Sequence, residues 1–198
     1  MEDKLSVEQM IQQYILSAAR APHLLFGEKL YGQFLVVVYS TIDTVGLLDA
    51  PPNQMRASSH SFKAWVDKYL LPNVLGGEYN STDLWAARCG VLHSFTTESD
   101  LSRSGVARQI QYYIAEGEAE KEHVEITRLV DAGAHAPAHL TRLGTAFTVG
   151  LHQFTPHLIA KCKSLPECAA RLKNVLQIYP MAAPPNNSFK PKPLRGST

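Results

Sequence analysis

The sequence predicts a mainly α-helical protein with a short β-hairpin inserted after its fourth helix. Apolar residues recur at helical spacing along most of the chain, and capping residues precede several of these runs. Only the stretch at about residues 106–129 shows the alternation that is typical of strands. A chain of 198 residues is long enough to bury one hydrophobic core, so we expect a single helical domain over residues 1–179.

Two helices are predicted in the N-terminal quarter of the chain. Ser6 and Gln9 form a capping-box pattern, and the apolar residues that follow predict a first helix over residues 6–20 that ends before Pro22. A long second helix is predicted over residues 28–48, because apolar residues keep a period of about 3.6 through its polar positions.

The next two helices are shorter. An apolar stripe over residues 62–70 predicts a third helix that ends at Pro72. Ser81 or Thr82 offers an N-cap for a fourth helix, whose apolar stripe continues to Phe95. This fourth helix carries the residues whose side chains are best suited to catalysis.

The second half of the chain mixes helices with the predicted hairpin. Residues 106–114 and 123–129 alternate in polarity and are predicted to form its two strands. Pro137 suits the first turn of a further helix, and a last helix is predicted over residues 166–178. The proline-rich segment 180–198 has little apolar surface to bury and is expected to be a disordered tail.

The composition excludes several classes of function. Apolar residues make up 45% of the chain and charged residues 19%, as in ordinary globular proteins. The formal charge of +1 gives no overall field that would attract nucleic acid or an anionic membrane, so any phosphate contact must come from a local site. Three cysteines without a CxxC pair suit a reducing compartment.

The sequence also predicts the location of the protein. Its N-terminus lacks the basic and apolar regions of a secretory signal, and its most apolar run, residues 34–39, is much shorter than the roughly 20 residues that span a bilayer. We therefore expect a cytoplasmic protein that binds neither a membrane nor DNA.

The fourth helix contains Arg88 and His93, separated by four residues. On this motif, with Val-Tyr-Ser-Thr-Ile-Asp at residues 38–43 and Phe-Lys-Ala-Trp-Val at residues 62–66, the chain resembles the HEPN superfamily over about residues 28–95. The resemblance implies a helical domain that in many members is a metal-independent ribonuclease. It also implies a homodimer, because motifs from two subunits meet in a shared cleft.

The resemblance and the side-chain chemistry imply a role for each residue. A histidine with a pKa near ~6.5 exchanges protons with an RNA 2′-hydroxyl or a leaving 5′-oxygen, so His93 is the expected acid and base. Arg88 offers a planar set of donors to the phosphate as its negative charge grows. Catalytic members commonly have a polar residue such as Asn directly after the arginine, where this chain has Cys89. A catalytically inactive dimeric module that binds a partner protein, nucleotide or RNA is therefore the alternative.

Helical geometry qualifies this site. Five residues at ~100° each place Arg88 and His93 about 140° apart around an ideal helix, so a single helix does not easily direct both at one phosphate. A purely structural alternative pairs Arg88 with Asp43 or Asp83 and uses His93 to cap carbonyl groups. A pair between Asp43 and Arg88 would either support the fold or orient the arginine.

Two further patterns have simple structural explanations. Cys89 and His93 share a helical face at i and i+4, which suits either a thiolate nucleophile or a buried inert cysteine. His135 and His139 have the spacing of two metal ligands, but Pro137 lies between them and no further ligand completes the set. We therefore assign no metal and expect no cofactor.

Overall fold

The computed structural model describes residues 6–175 and shows a mainly helical protein with one two-stranded sheet, which confirms the predicted mainly α class. Its helices are α1 (Val7–Gly27), α2 (Tyr31–Asp49), α3 (Ser59–Trp65), α4 (Ser81–Ser94), α5 (Asp100–Arg103), α6 (Glu118–Leu129), α7 (Leu140–Ser164) and α8 (Pro166–Lys173). Its strands are β1 (Gln109–Tyr113) and β2 (His135–His139).

The start of α1 was predicted correctly and its end was not. The Ser6 hydroxyl accepts from the Gln9 amide, and the Gln9 side chain accepts from the Ser6 amide at 2.8 Å. The helix does not stop before Pro22, because this proline lies buried inside it and the helix continues to Gly27. Packing of this face against the rest of the core outweighs the one hydrogen bond that proline cannot donate.

The core is built around α2. This helix packs against α1, α3, α4 and α7, and its buried side chains belong to one continuous apolar cluster that extends from Ile11 to Leu172. Burying each large side chain of this kind contributes roughly 1.5–3 kcal/mol. The largest fully buried aromatic side chains are Tyr39, Phe62, Trp65, Phe147 and Phe154.

The apolar character of α2 has a second consequence. Within residues 6–175, α2 alone is long and apolar enough to cross a membrane, with a mean hydropathy of 1.3. Half of that stretch is buried inside the fold, and a core helix of a soluble protein passes the same test. The expected absence of a membrane span therefore stays a prediction.

The third predicted helix is a composite of three helical types. Regular α3 ends at Trp65, a π-helical segment covers Val66–Leu70, and a 3₁₀ turn covers Leu71–Asn73. Pro72 lies inside that last turn, so the helical region ends where proline was expected to end it. The change of hydrogen bonding keeps the bulky Trp65 and Leu70 side chains in the core.

The predicted hairpin at residues 106–129 is wrong. Strand β1 forms, but its partner is β2, and the two run parallel with Tyr113 opposite His139. Residues 123–129 belong to α6, which supplies the crossover that two parallel strands require. The physical reason is that residues 118–125 contain four Glu and one Lys, which favour a helix. The apolar residues after them fit one face of a helix as well as they fit a strand.

The prediction that Pro137 lies in the first turn of a helix is also wrong. This proline lies in the middle of β2, and α7 begins three residues later at Leu140. A two-stranded sheet leaves each strand with an outer edge, where proline does no harm because no partner needs its missing amide. Helix α7 then continues through Pro156 without dividing.

Some predictions fall partly outside the described residues. Helix α8 begins at Pro166, as predicted, and ends at Lys173. The expected extension of this helix to residue 178 and the tail at residues 180–198 lie outside the described residues, as do residues 1–5 of the predicted domain.

Candidate functional site

The candidate site lies where α4 packs beside α2. Arg88 and His93 lie on α4, and Asp43 lies on α2. The N-cap of α4 is Asn80, one residue before the predicted positions, and its side chain accepts from the amides of Thr82 and Asp83. This cap fixes where α4 begins.

Arg88 is held by a carboxylate and an aromatic ring. Its Nε and Nη2 atoms donate to the Asp43 carboxylate oxygen Oδ2, at 2.9 and 2.5 Å. Its guanidinium carbon lies 5.0 Å from the centre of the Trp85 ring, within the range of a cation–π interaction. The expected pairing of Asp43 with Arg88 is confirmed, and Asp83 pairs with another arginine, Arg108.

The structure brings Arg88 and His93 together within one chain. Arg88 Nη1 lies 3.3 Å from His93 Nε2, and His93 is exposed to solvent in the last turn of α4. The two side chains meet although their positions lie about 140° apart around an ideal helix, because the long arginine side chain reaches around it. Arginine has no acceptor, so Nη1 is the donor of a hydrogen bond across this contact, in the tautomer that leaves Nε2 unprotonated.

The surroundings of the Asp43 carboxyl group act on its pKa in opposite directions. Burial raises the pKa of this carboxyl group, while the hydrogen bond and charge of Arg88 and the charge of His93 act to lower it. Both hydrogen bonds from Arg88 converge on Oδ2, and the buried atom Oδ1 has no partner among the residues that the structure describes. A buried acceptor without a donor is uncommon and marks this carboxylate as incompletely satisfied.

The C-terminal end of α4 depends on Gly90. The chain turns at Phe95 in a left-handed conformation, with φ 54° and ψ 34°, and the Thr96 amide donates to the Gly90 carbonyl at 3.3 Å. A Cβ at Gly90 would lie 2.5 Å from the Glu98 carbonyl oxygen, so only glycine lets the following loop fold back here. This turn fixes the position of His93.

Two aromatic residues lie on α4 or at its C-cap, near the site. Phe95, the last residue of the predicted apolar stripe, is 60% exposed. Trp85 is partly buried and contacts both Phe62 and the guanidinium of Arg88. The i, i+3 spacing of Trp85 and Arg88 was the signal that could have found this contact.

The Cys89 thiol was considered as a nucleophile beside His93. Cys89 is a half-buried free thiol, and no hydrogen bond between residues 6 and 175 joins its sulfur to the imidazole. The residue that shares a hydrogen bond with His93 is Arg88.

The histidines considered as metal ligands are placed differently from the prediction. His135 and His139 are the two ends of β2, so about 13 Å of extended chain separates them. The Nε2 atom of His139 lies 3.0 Å from the Ala115 carbonyl oxygen. In the described part of the chain, no group of three His, Cys, Asp or Glu residues could hold a metal ion.

The cluster lies apart from two grooves on the described surface. The first groove has a volume of about 750 Å³ and lies between α1, α2 and α8. The second has a volume of about 270 Å³ and lies between α1 and α7. Neither of these two grooves is lined by Asp43, Arg88 or His93.

The fold and the cluster together define a mainly helical protein in which a half-buried arginine contacts an exposed histidine and is anchored by a half-buried carboxylate. No protein-family model, curated protein or solved structure matches the chain.

Proposed function

We propose that this protein is a metal-independent endoribonuclease of the HEPN type that acts as a homodimer in the cytoplasm. One observation carries the proposal. A single guanidinium bridges a half-buried carboxylate, which holds it in place, and an imidazole that is exposed to solvent. A histidine supplies the acid and base, and an arginine the charge stabilisation, with which RNA can be cleaved without a metal.

Asp43 is the positioning residue in this proposal. Its hydrogen bonds from Nε and Nη2 of Arg88 stay in place when RNA binds. A phosphate oxygen then takes the place of His93 Nε2 as the partner of Nη1, whose contact with His93 is longer at 3.3 Å. The guanidinium then faces the negative charge that grows on the phosphate, and arginine keeps its own charge throughout.

The proposed reaction moves two protons. The imidazole of His93 takes the proton of the 2′-hydroxyl, the 2′-oxygen forms a bond to the adjacent phosphorus, and the bond to the 5′-oxygen breaks. A protonated imidazole gives its proton to the departing 5′-oxygen, which leaves a cyclic phosphate. Two copies of His93, one from each subunit, divide these roles in the proposed dimer.

The test is cleavage of end-labelled RNA by the purified protein in the presence of a chelator. We expect His93→Ala and Arg88→Ala each to reduce the cleavage rate by about 10²–10⁴-fold, since each removes a group that acts in the transition state. His152→Ala, which removes an exposed histidine on α7, should keep the rate of the wild type. Cleavage by His93→Ala at the wild-type rate would show that the assignment is wrong.

A second candidate function is favoured by a specific observation. Nε, Nη1 and Nη2 of Arg88 all have partners within the chain, and Cys89 takes the place of the usual polar neighbour. These features suit a catalytically inactive dimeric module that binds a partner protein, nucleotide or RNA. It predicts a stable dimer by analytical ultracentrifugation with RNA left intact, and cleavage that disappears in His93→Ala would exclude it.

A further inference from the structure

Phe95 is an exposed aromatic residue two positions after His93. It occupies the left-handed position that ends α4, with φ 54°, and 60% of it is exposed to solvent. Glycine is the usual residue at this position, because every other side chain meets the backbone there. The chain thus keeps a large apolar ring, in a strained conformation, beside the candidate site.

The ring of Phe95 is held in place from one side. It rests against Gly32 in the first turn of α2, where any Cβ would overlap the ring. Within residues 6–175 no other aromatic ring pairs with it, so the rest of its surface remains open. A rigid ring with an open surface can accept a flat partner without losing further conformational freedom.

The same corner of the molecule carries charged and polar groups. Exposed Lys29 lies just before α2, three residues from Gly32, and Arg88 and His93 lie on the turns of α4 that precede Phe95. An aromatic ring on the same helix end as an arginine and a histidine matches a nucleotide, whose base is flat and whose phosphate is negative.

We propose that Phe95 stacks on one base of an unpaired RNA strand while an adjacent phosphate lies at Arg88 and His93. This inference deepens the proposed ribonuclease function and rests on it. It assigns single-stranded or looped RNA as the substrate class, because bases in a duplex already stack on their neighbours and are not available to the ring. Sequence preference should be weak, since every base has an aromatic face.

The experiment measures RNA binding by fluorescence anisotropy in the His93→Ala background, so that the RNA stays intact. The probes are a short labelled unpaired RNA, its duplex, and an abasic strand with the same number of phosphates. Phe95→Gly should weaken binding of the unpaired RNA about tenfold or more. Phe95→Trp should keep it, and neither change should affect the abasic strand.

Two controls separate stacking from folding and from general apolar exposure. Glycine relieves the left-handed strain at residue 95, so Phe95→Gly should unfold at the same temperature as its parent or higher. Leu75→Ala removes another exposed apolar side chain, 77% exposed in the connector before α4, and should leave RNA binding unchanged.

Several outcomes would overturn the inference. Equal binding of unpaired RNA by Phe95→Gly and its parent would overturn it, even if the wild type cleaves RNA through His93. If Phe95→Gly loses the dimer without a change in RNA affinity, Phe95 is a subunit contact and the inference is overturned. Absence of any RNA binding by the parent protein would also overturn the inference. Binding that depends on Phe95 without any cleavage by the wild type would instead uphold stacking and reject the ribonuclease.

Discussion

Two arginine–aspartate pairs involve α4, and they are satisfied to different degrees. Near the start of the helix, Asp83 is 2% exposed, and both of its oxygens accept hydrogen bonds from Arg108 or from the Asn80 amide. Near the end, both bonds from Arg88 converge on one oxygen of Asp43. The other Asp43 oxygen is buried without a partner in the described residues.

This difference separates a structural pair from a candidate functional one. Asp83 closes the capping box of α4 and joins that helix to the segment before β1 through the Arg108 amide at 2.8 Å. Arg88 instead directs its remaining nitrogen to exposed His93. A fully satisfied pair contributes to the fold, whereas an incompletely satisfied pair with an accessible partner is free to change partners when a ligand binds.

The largest effect is expected at the structural pair. Asp83→Ala should lower the free energy of unfolding by about 3–5 kcal/mol, because it removes the capping box and leaves Arg108 without its buried carboxylate. Urea unfolding measures this change, and Asp67→Ala, at an exposed position, is the matched control. A loss no greater than that of the control would remove the distinction between the two pairs.

A smaller effect on stability is expected at the candidate site. Asp43→Asn should lower the free energy of unfolding by less than about 1 kcal/mol, because asparagine keeps an acceptor for Arg88 and avoids burial of a charge. The same change should reduce the proposed RNA cleavage about tenfold, since the guanidinium is held less firmly. If Asp43→Asn destabilises the fold as much as Asp83→Ala, the Asp43 pair is structural too.

The smallest effect is a difference in pH dependence between Asp43 and Glu120. Arg142 holds the pKa of Glu120 below 4.5, so its contribution to stability is present above pH 4.5 and is lost as the pH falls through the folded pKa. The pKa of Asp43 is raised above 3.8, so the folded state holds its proton more tightly, and its contribution decreases as the pH rises through that window.

Unfolding measured between pH 3 and pH 7 tests these opposite signs. Relative to the wild type, Glu120→Gln should become less stable as the pH rises, and Asp43→Asn should become more stable. A shift of the same sign in both variants would contradict the assigned causes of the two pKa changes.

Local patterns predicted much of the helical structure. The Ser6–Gln9 capping box, the long α2 and the proline that begins α8 follow from interactions between residues a few positions apart. The pairing of Asp43 with Arg88 was also predictable, because a carboxylate on a mostly apolar helix needs a partner and this arginine was one of the few candidates.

The errors lie where distant parts of the chain meet. The local pattern of residues 123–129 fits a strand and a helix equally well. These residues are helical because β1 pairs with β2, and the segment between two parallel strands forms the crossover helix α6. Pro22 and Pro137 were taken as boundaries, yet burial holds one inside α1 and an outer sheet edge accommodates the other.

The sequence by itself determined the helical class, the main caps and the residue types available for chemistry, because spacing and capping act over one or two turns. Only the tertiary structure decided that Arg88 meets His93 within one chain, that Oδ1 of Asp43 is left without a donor in the described region, and that Phe95 is exposed. These features depend on how α4 packs on α2, and such packing is set by the whole core rather than by any local run of residues.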